Sequence, residues 1–353
     1  MAAYTTIDDP SAYFKVQLYT GTGSSHAITF NDTDTEMQPD LVWNKSRSDT
    51  YSHNFCDSVR GVTKMLEGES DAAENTNTNA VTAFGSDGFT VGSDNGNNKS
   101  SSNFVAWCWK AGTTSGITTN GSTDITPSAY SFNATSRFSI VQYAGATTAG
   151  QLAHGLGVTP TFHMIKKTSG TGNWQVYVQA TGNGGTLALN QNYALDSNAY
   201  YYNNTDPDSV NITLGSGSSN TSVNTSGQTY ICYSFADVQG FSKAGKYTGN
   251  GNANGVFVNT GFRPAMVIIK VSSTTSSWRI YDTKRDIDNP CNTRLLPNET
   301  GADSTETLFD LCSNGFKLRT SDSATNGSGS TYIYMAFAEA PFVNSNGVPC
   351  NAR

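Results

Sequence analysis

Short runs of apolar residues alternate with polar segments along most of this chain. In residues 104–109, 230–235 and 332–337, large apolar side chains fall at every second position, and the residues between them are often small. Such runs are typical of β-strands that are buried on both faces. Asp87 and Asn314 each precede a glycine between two such runs, which predicts β-hairpins. Helical periodicity is scarce, so the pattern predicts an all-β protein made of β-sandwiches rather than barrels.

One set of anchor residues recurs three times with matching spacing. A proline is followed six positions later by a lysine in residues 39–45, 160–166 and 264–270, and an aromatic ring follows eight positions after each lysine. The rings are His53, Trp174 and Trp278. This spacing predicts three jelly-roll-like sandwich units of about 100 residues each, a common domain size. The predicted structural anchors are Pro39, Lys45, Trp107, Trp109, Pro160, Lys166, Trp174, Pro264, Lys270 and Trp278.

The anchors also predict how the chain is divided. We expect an N-terminal segment at residues 1–13, a first unit at 14–110, a Thr-, Ser- and Gly-rich linker at 111–136, a second unit at 137–244, a third at 245–342 and a tail at 343–353. The linker has no apolar periodicity, so we expect an extended connection or a surface strand there. No spacer separates the last two units, which therefore should pack directly on each other.

The composition excludes several classes of partner. Charged residues make up 14% of the chain and the formal net charge is −7, so no basic patch for nucleic acid is expected. The first residues lack the basic and apolar regions of a secretion signal. No apolar run approaches the roughly 20 residues of a membrane span. We expect a protein made in a cytoplasm, without insertion into a membrane.

Most residues that could support catalysis or metal binding are matched in the other units by residues with a structural role. Asp57 and Asp282 are each followed three positions later by an arginine, which favours structural ion pairs over a pair of catalytic carboxylates. Residues 31–36 are rich in oxygen ligands but lack the glycine and glutamate of a calcium loop. The six cysteines show no zinc-site spacing and are expected to be free thiols, with a pairing of Cys291 and Cys350, both beside a proline, as the open alternative. We therefore expect no enzyme activity, no cofactor and no metal.

One polar segment of the second unit has no counterpart elsewhere in the chain. It contains three consecutive tyrosines followed by two asparagines. Tyrosines in a loop provide rigid contact area at a low entropic cost, which suits a sugar, a protein partner or a neighbouring subunit. The candidate binding residues are Tyr200, Tyr201, Tyr202, Asn203 and Asn204.

Several phrases of the sequence resemble a family of repeat-containing virion proteins from marine bacteriophages of the cyanophage type. They are residues 7–14, 18–23, 57–61, 105–112, 247–251, 260–264 and 314–320. Members of that family are usually labelled tail fibre or structural proteins. The resemblance implies a non-enzymatic part of the virion exterior that is made in the host cytoplasm and is released by lysis of the host cell.

Three functions follow from these expectations. The first is a tail fibre or tail-associated protein that assists host attachment, contacts other virion proteins and a host-surface glycan or protein, and forms a homo-oligomer, preferably a trimer. The second is a capsid decoration protein. The third is a glycan-degrading depolymerase that would use Asp57, Asp282 or Glu339.

Overall fold

A computed structural model describes residues 4–30, 35–146, 148–198, 200–216 and 223–350. Within these ranges the regular structure is almost entirely antiparallel β-sheet. Three sheets of four to six strands, which we call the large sheets, are each faced by another sheet of two to four strands, which we call the small sheet. The all-β sandwich prediction is confirmed.

The first part of the chain contains a six-stranded and a three-stranded sheet. Its strands are β1 (Phe14–Thr20), β2 (His26–Thr29), β3 (Leu41–Ser46), β4 (Asn54–Asp57), β5 (Lys64–Glu67), β6 (Asn75–Thr76), β7 (Val81–Gly85), β8 (Gly88–Val91) and β9 (Asn103–Trp109). The large sheet has the order β1-β9-β3-β4-β5-β6, and the small one has the order β2-β8-β7. A 3₁₀ turn (Pro10–Ala12) precedes β1, and the single-turn helix α1 (Asn95–Asn98) precedes β9.

The middle part has a six-stranded and a two-stranded sheet. Its strands are β10 (Pro127–Asn133), β11 (Phe138–Ala144), β12 (Gly150–Ala153), β13 (Phe162–Lys167), β14 (Gln175–Val178), β15 (Leu187–Ala188), β16 (Asn211–Leu214) and β17 (Thr229–Phe235), with a 3₁₀ turn at Gln179–Thr181. The orders are β10-β11-β17-β13-β14-β15 and β12-β16. β10 lies in the segment predicted as a linker or surface strand, and it forms the edge of this sheet by pairing with β11.

The last part has two four-stranded sheets. Its strands are β18 (Ser242–Thr248), β19 (Phe257–Asn259), β20 (Phe262–Val271), β21 (Arg279–Asp282), β22 (Cys291–Arg294), β23 (Ser304–Cys312), β24 (Gly315–Leu318) and β25 (Thr331–Pro341). The orders are β18-β25-β20-β21 and β19-β24-β23-β22. We refer to the three parts as units one, two and three; their division at the predicted boundaries stays a prediction.

Four strands of each large sheet share one order and one register. They are β1-β9-β3-β4 in unit one, β11-β17-β13-β14 in unit two and β18-β25-β20-β21 in unit three. The first strand pairs with the second through Phe14 and Trp109, Phe138 and Phe235, and Ser242 and Phe337. These pairings define equivalent positions in the three sheets.

One face of each large sheet packs against its own small sheet, and the other faces of all three sheets meet in a shared core. This arrangement explains why the central strands are apolar on both faces. At one end of the shared core, Trp109, Phe235 and Phe337 contact one another edge to face, with ring centroids 5.5 to 6.1 Å apart. Edge-to-face contacts of this kind add about 0.5–1.5 kcal/mol per pair beyond burial.

The units meet at three junctions of the same design. At each junction a backbone N–H of one unit donates to a backbone carbonyl of the neighbouring unit. The acceptor residue lies two positions after that unit's anchor lysine. The pairs are Glu74 N to Thr168 O (2.9 Å), Leu195 N to Ser272 O (2.8 Å) and Asp303 N to Arg47 O (2.9 Å). Unit one thus contacts unit two, unit two contacts unit three, and unit three contacts unit one. The chain closes into a ring of three sandwiches.

The predicted anchor tryptophans lie at these junctions. Trp174 donates its indole N–H to the carbonyl of Glu67 in unit one, and Trp278 donates to that of Ala188 in unit two, each at 2.8 Å. Both indoles are fully buried. Buried indoles normally need such a partner, so these two side chains both fill the core and hold neighbouring units in register.

The anchor prolines lie at the starts of the third strand of each set. Pro39 and Pro160 come just before β3 and β13, where a missing N–H does not interrupt the ladder. Pro264 lies inside β20, at a point where the pairing register with β25 shifts. The irregularity accommodates the missing donor there.

Candidate functional site

The tyrosine segment of unit two is only partly at the surface. Tyr200 is 57% exposed, whereas Tyr202 is 1% exposed. Tyr201 is half-buried, and its hydroxyl donates to a carboxylate oxygen of Asp196 at 3.4 Å. The surface that remains for a ligand is therefore narrower than three tyrosine rings.

Asn203 and Asn204 complete the exposed part of the same segment. Both side chains are exposed, and both backbones have positive φ angles of 51° and 49°. Asparagine tolerates this left-handed conformation better than most residues, which accounts for its presence at the turn. Tyr200 with these two amides is the exposed portion of the predicted binding surface.

Tyr202 instead belongs to the core between the two sheets of unit two. Its ring contacts His163 and Tyr177 edge to face at 5.2 and 5.4 Å, and His163 and Tyr177 stack at 4.7 Å. Its hydroxyl lies 3.3 Å from the Thr186 hydroxyl. The run of three tyrosines thus anchors its loop by the third ring.

Asp57 lies in a buried ion pair at the junction of units one and two. Its side chain is fully buried and accepts from Arg60 Nε at 2.5 Å and from the hydroxyl of Tyr233 at 2.7 Å. Arg60 also contacts Glu74 at 3.1 Å. Burial raises the pKa of Tyr233 well above its ordinary value, so the hydroxyl remains a donor. These bonds occupy the carboxylate and separate it from solvent.

Asp282 has the same position at the junction of units three and one. It accepts from Arg285 Nε at 2.6 Å and from the indole N–H of Trp107 at 3.2 Å, and it is fully buried. The Arg285 guanidinium also contacts Asp303 at 3.0 Å and lies 5.6 Å from the centre of the Trp107 ring. Neither Asp57 nor Asp282 is accessible to a polysaccharide. Glu339, the third carboxylate, is half-exposed and paired with Arg263.

The remaining junction replaces these polar contacts with apolar ones. By its strand pairing, Val178 of unit two is equivalent to Asp57 of unit one. By the same criterion, Met335 of unit three is equivalent to Tyr233 of unit two and Trp107 of unit one. Both Val178 and Met335 are buried in the shared core. An aspartate therefore occurs where the facing residue offers a hydrogen-bond donor, and a valine occurs where it does not.

The histidines inside the units are held neutral by burial. Burial lowers the pKa of His163 to about 3 and that of His154 to about 4. It lowers the pKa of His53 well below the usual range, with the Leu296 backbone acting in the opposite direction. The Nδ1 of His53 accepts from the indole N–H of Trp43 at 3.0 Å. These three rings are packing residues.

The three anchor lysines are fully buried, and each ammonium group donates to the carbonyl of the following residue. Lys166 also donates to the carbonyls of Asp71 and Ala72 in unit one, at 3.0 and 2.6 Å. Burial lowers the pKa of Lys45, Lys166 and Lys270 to about 8. The lysines thus satisfy backbone oxygens that the ends of the strands would otherwise leave unpaired.

All six cysteines are free thiols. Cys291 is buried, and burial raises the pKa of its thiol, whereas Cys350 is exposed. In the described ranges no group of His, Cys, Asp and Glu side chains is arranged to hold a metal ion. The oxygen-rich stretch 31–36 falls partly outside those ranges, at residues 31–34. None of the described helices has the length and apolar character required to span a bilayer.

Sequence reasoning missed a buried asparagine in each unit. In each case the side-chain oxygen accepts a backbone N–H from the turn that follows the first strand of the set. The side-chain NH₂ group donates to two backbone carbonyls, one in the same turn and one elsewhere in the unit. These residues are Asn98, Asn224 and Asn326. A shared spacing of these asparagines from the last strand was the available signal. They tie the loops at one end of each sandwich.

Sequence reasoning also missed a polar pocket in unit one. Its volume is about 200 Å³, and its walls include Tyr51, Asn54, Asn77 and Asp94. Asn97 also lines it and is 1% exposed, yet its side-chain oxygen has no hydrogen-bond partner among the described residues.

Neither the curated proteins nor the solved structures contain a match to this chain. A family model matches residues 9–341, which include all three large sheets. The chain belongs to the family described as Domain of unknown function (DUF7483).

Proposed function

We propose that this protein is a non-enzymatic component of a bacteriophage virion exterior, tail-associated and assisting attachment to the host. The observation that carries the proposal is the closed ring of three sandwiches around one core. Such a body is rigid because its junctions combine buried rings with buried hydrogen-bonded pairs. A rigid, sparingly charged body suits a display protein whose contacts must hold at changing salt concentrations.

The candidate carboxylates favour this proposal over a depolymerase. Retaining and inverting glycosidases need two carboxyl groups that face one substrate. Asp57 and Asp282 are buried at different junctions, each with an arginine and an aromatic donor. Their bonds fit a structural role.

The proposed partners are other virion proteins and a host-surface glycan or protein. A homotrimer remains our preferred assembly, since fibres stand on symmetric platforms. The ring of three units offers a second route, because one chain already presents three similar sandwiches around a common core. Mass photometry of the protein, both free and extracted from particles, separates these routes: a monomer in both samples would exclude the trimer.

Immunogold labelling of purified particles tests the proposed location. We expect label at the tail. Label over the whole head would replace the tail assignment with the capsid decoration alternative, and unlabelled particles that lack the chain by mass spectrometry would refute a virion role altogether.

A further inference from the structure

The polar pocket of unit one has a filled counterpart in unit three. Asp57 and Asp282 pair at equivalent points of their sheets, so Asn54 matches Arg279, three positions earlier in each strand. The backbone carbonyls of Asp94 and Asp322 each accept from the backbone N–H of the residue four positions later, at 2.7 Å. These two aspartates are therefore also equivalent.

Two further wall positions follow from the neighbouring strands. The partner of Phe55 is Leu66, and that of Ile280 is Leu295, so Met65 matches Arg294. Met65 in turn pairs with Asn75, and Arg294 pairs with Ser304. Two residues beyond these, Asn77 matches Glu306.

In unit three these four positions form a charged network. Arg294 contacts Glu306 at 2.7 Å, and Arg279 lies 3.9 Å from Glu306 and 4.0 Å from Asp322. Two guanidinium groups and two carboxylates thus occupy the space, and their formal charges cancel. The side chains fill this part of unit three themselves.

Unit one keeps one carboxylate and loses both guanidinium groups. Asn54 and Met65 replace the arginines, Asn77 replaces the glutamate, and Asp94 remains. The amides of Asn77 and Asn97 donate to Asp94 at 2.9 and 2.6 Å, so each carboxylate oxygen keeps a lone pair for another donor. The removal of two long cationic side chains leaves the open volume of about 200 Å³.

The remaining walls add an aromatic ring and a second carboxyl group. Tyr51 is half-buried at the pocket, and Glu67 lines the same space. Burial and the neighbouring Glu69 raise the pKa of Glu67. The pocket therefore offers acceptors to hydroxyl or amine donors, and it disfavours an anion.

We propose that this pocket binds one neutral or amino-substituted sugar ring. Amide and carboxylate groups around a half-buried tyrosine match the hydroxyls and the apolar face of a pyranose. The volume lies below the roughly 300–1,000 Å³ of pockets for drug-sized ligands, which limits the occupant to a single ring. Sugar binding by the pocket does not depend on the proposed function. Only the origin of the sugar does: if the protein assists host attachment, the sugar is a terminal residue of a host-surface glycan.

Binding is measured on the purified full-length chain with three probes: methyl glucoside, methyl glucosaminide and methyl glucuronide. Saturation-transfer NMR detects contact, and titration gives the affinity. We expect the first two to bind and the glucuronide to bind at least about tenfold more weakly, because Asp94 and Glu67 repel its carboxylate. No transfer to any probe, or tightest binding by the glucuronide, would overturn the proposal.

A variant patterned on unit three locates the site. Asn54→Arg with Asn77→Glu places the equivalents of Arg279 and Glu306 into the pocket, with Asp94 as a further partner of the arginine. We expect a loss of binding of at least about tenfold with the melting temperature retained. Tyr51→Ala, which removes only a wall, is the second variant and should weaken binding likewise. Tyr200→Ala is the matched control and should bind as the parent does.

The outcomes separate this inference from the proposed function. Sugar binding that survives both pocket variants but disappears in Tyr200→Ala would move the site to the tyrosine segment of unit two and refute the pocket. Particle labelling does not depend on the pocket, so a tail label with no sugar binding removes the inference alone.

Discussion

Replacement of Asp57 by valine is the most direct test of the junction between units one and two. It leaves the buried Arg60 guanidinium with the partly exposed Glu74 as its remaining carboxylate contact. The Phe55 carbonyl and the Tyr233 hydroxyl also lie beside the guanidinium, and that hydroxyl loses its acceptor. Breaking a buried pair by removing one partner costs about 3–5 kcal/mol, because the other charge stays buried and uncompensated. We expect the free energy of unfolding to fall by that amount.

A triple variant tests whether the loss comes from the broken pair or from the missing aspartate itself. It combines Asp57→Val with Arg60→Thr and Tyr233→Met, which are the residues that unit two and its partner carry at the equivalent positions. No buried charge is then left unpaired, and the valine and methionine match the apolar pair of the third junction. We expect this variant to regain at least half of the lost stability.

Urea unfolding at pH 7, followed by tryptophan fluorescence, measures both effects. Asp49→Ala provides the control, because the pair of Asp49 with Lys99 is partly exposed and should contribute less than about 1 kcal/mol. A loss below about 1 kcal/mol for Asp57→Val, or a triple variant less stable than the single one, would show that the carboxylate does not act through Arg60.

Three other predictions concern the shared core, the buried lysines and the thiols. Phe235→Ala should lower the free energy of unfolding by about 3–5 kcal/mol in the same assay, whereas Phe257→Ala, at a partly exposed ring, should cost far less; equal losses would contradict the shared core. Burial lowers the pKa of the three anchor lysines from 10.5 to about 8, so the unfolded chain binds more protons between these values and the folded state gains stability as pH rises from 8 towards 10. Each unit of pKa contributes about 1.4 kcal/mol per lysine. Burial raises the pKa of the four buried thiols, which act in the opposite direction above pH 9, so the lysine contribution is measured as the difference in slope between the parent and a Lys270→Met variant; equal slopes would refute the lysine burial. In the native protein a thiol reagent should modify Cys350 rapidly and Cys291 only after unfolding; rapid modification of both would show that Cys291 is accessible.

The all-β class and the central strands were predictable because alternation along a strand directly reports which faces are buried. The strand that comes last along the chain in each unit, such as β9, has large side chains on one face and small ones on the other. That pattern indicated burial on both faces. It did not reveal that the large side chains of three sheets meet in one core, since a sequence pattern does not identify the opposing surface.

The candidate site was less predictable, for reasons visible at single residues. Tyr200 and Tyr202 are close to identical in sequence context, but a loop has no periodicity from which to assign an inward face, and only the structure distinguishes them. The pocket of unit one is formed by residues that are far apart along the chain, from Tyr51 to Asn97. Its signal was the loss of two arginines relative to unit three, which requires the strand registers to be known.

The junction between units three and one sets the order in which this chain can be completed during synthesis. Trp107 finds its carboxylate partner at Asp282, 175 residues later, and the ring of Trp109 meets Phe337 later still. Until unit three has left the ribosome, the apolar side chains of unit one that pack against unit three remain exposed to solvent. Contacts so distant in sequence slow folding and leave apolar surface open to aggregation in the meantime. Expression at reduced temperature, or together with chaperones, should therefore raise the soluble yield more for this chain than for a string of three independent sandwiches.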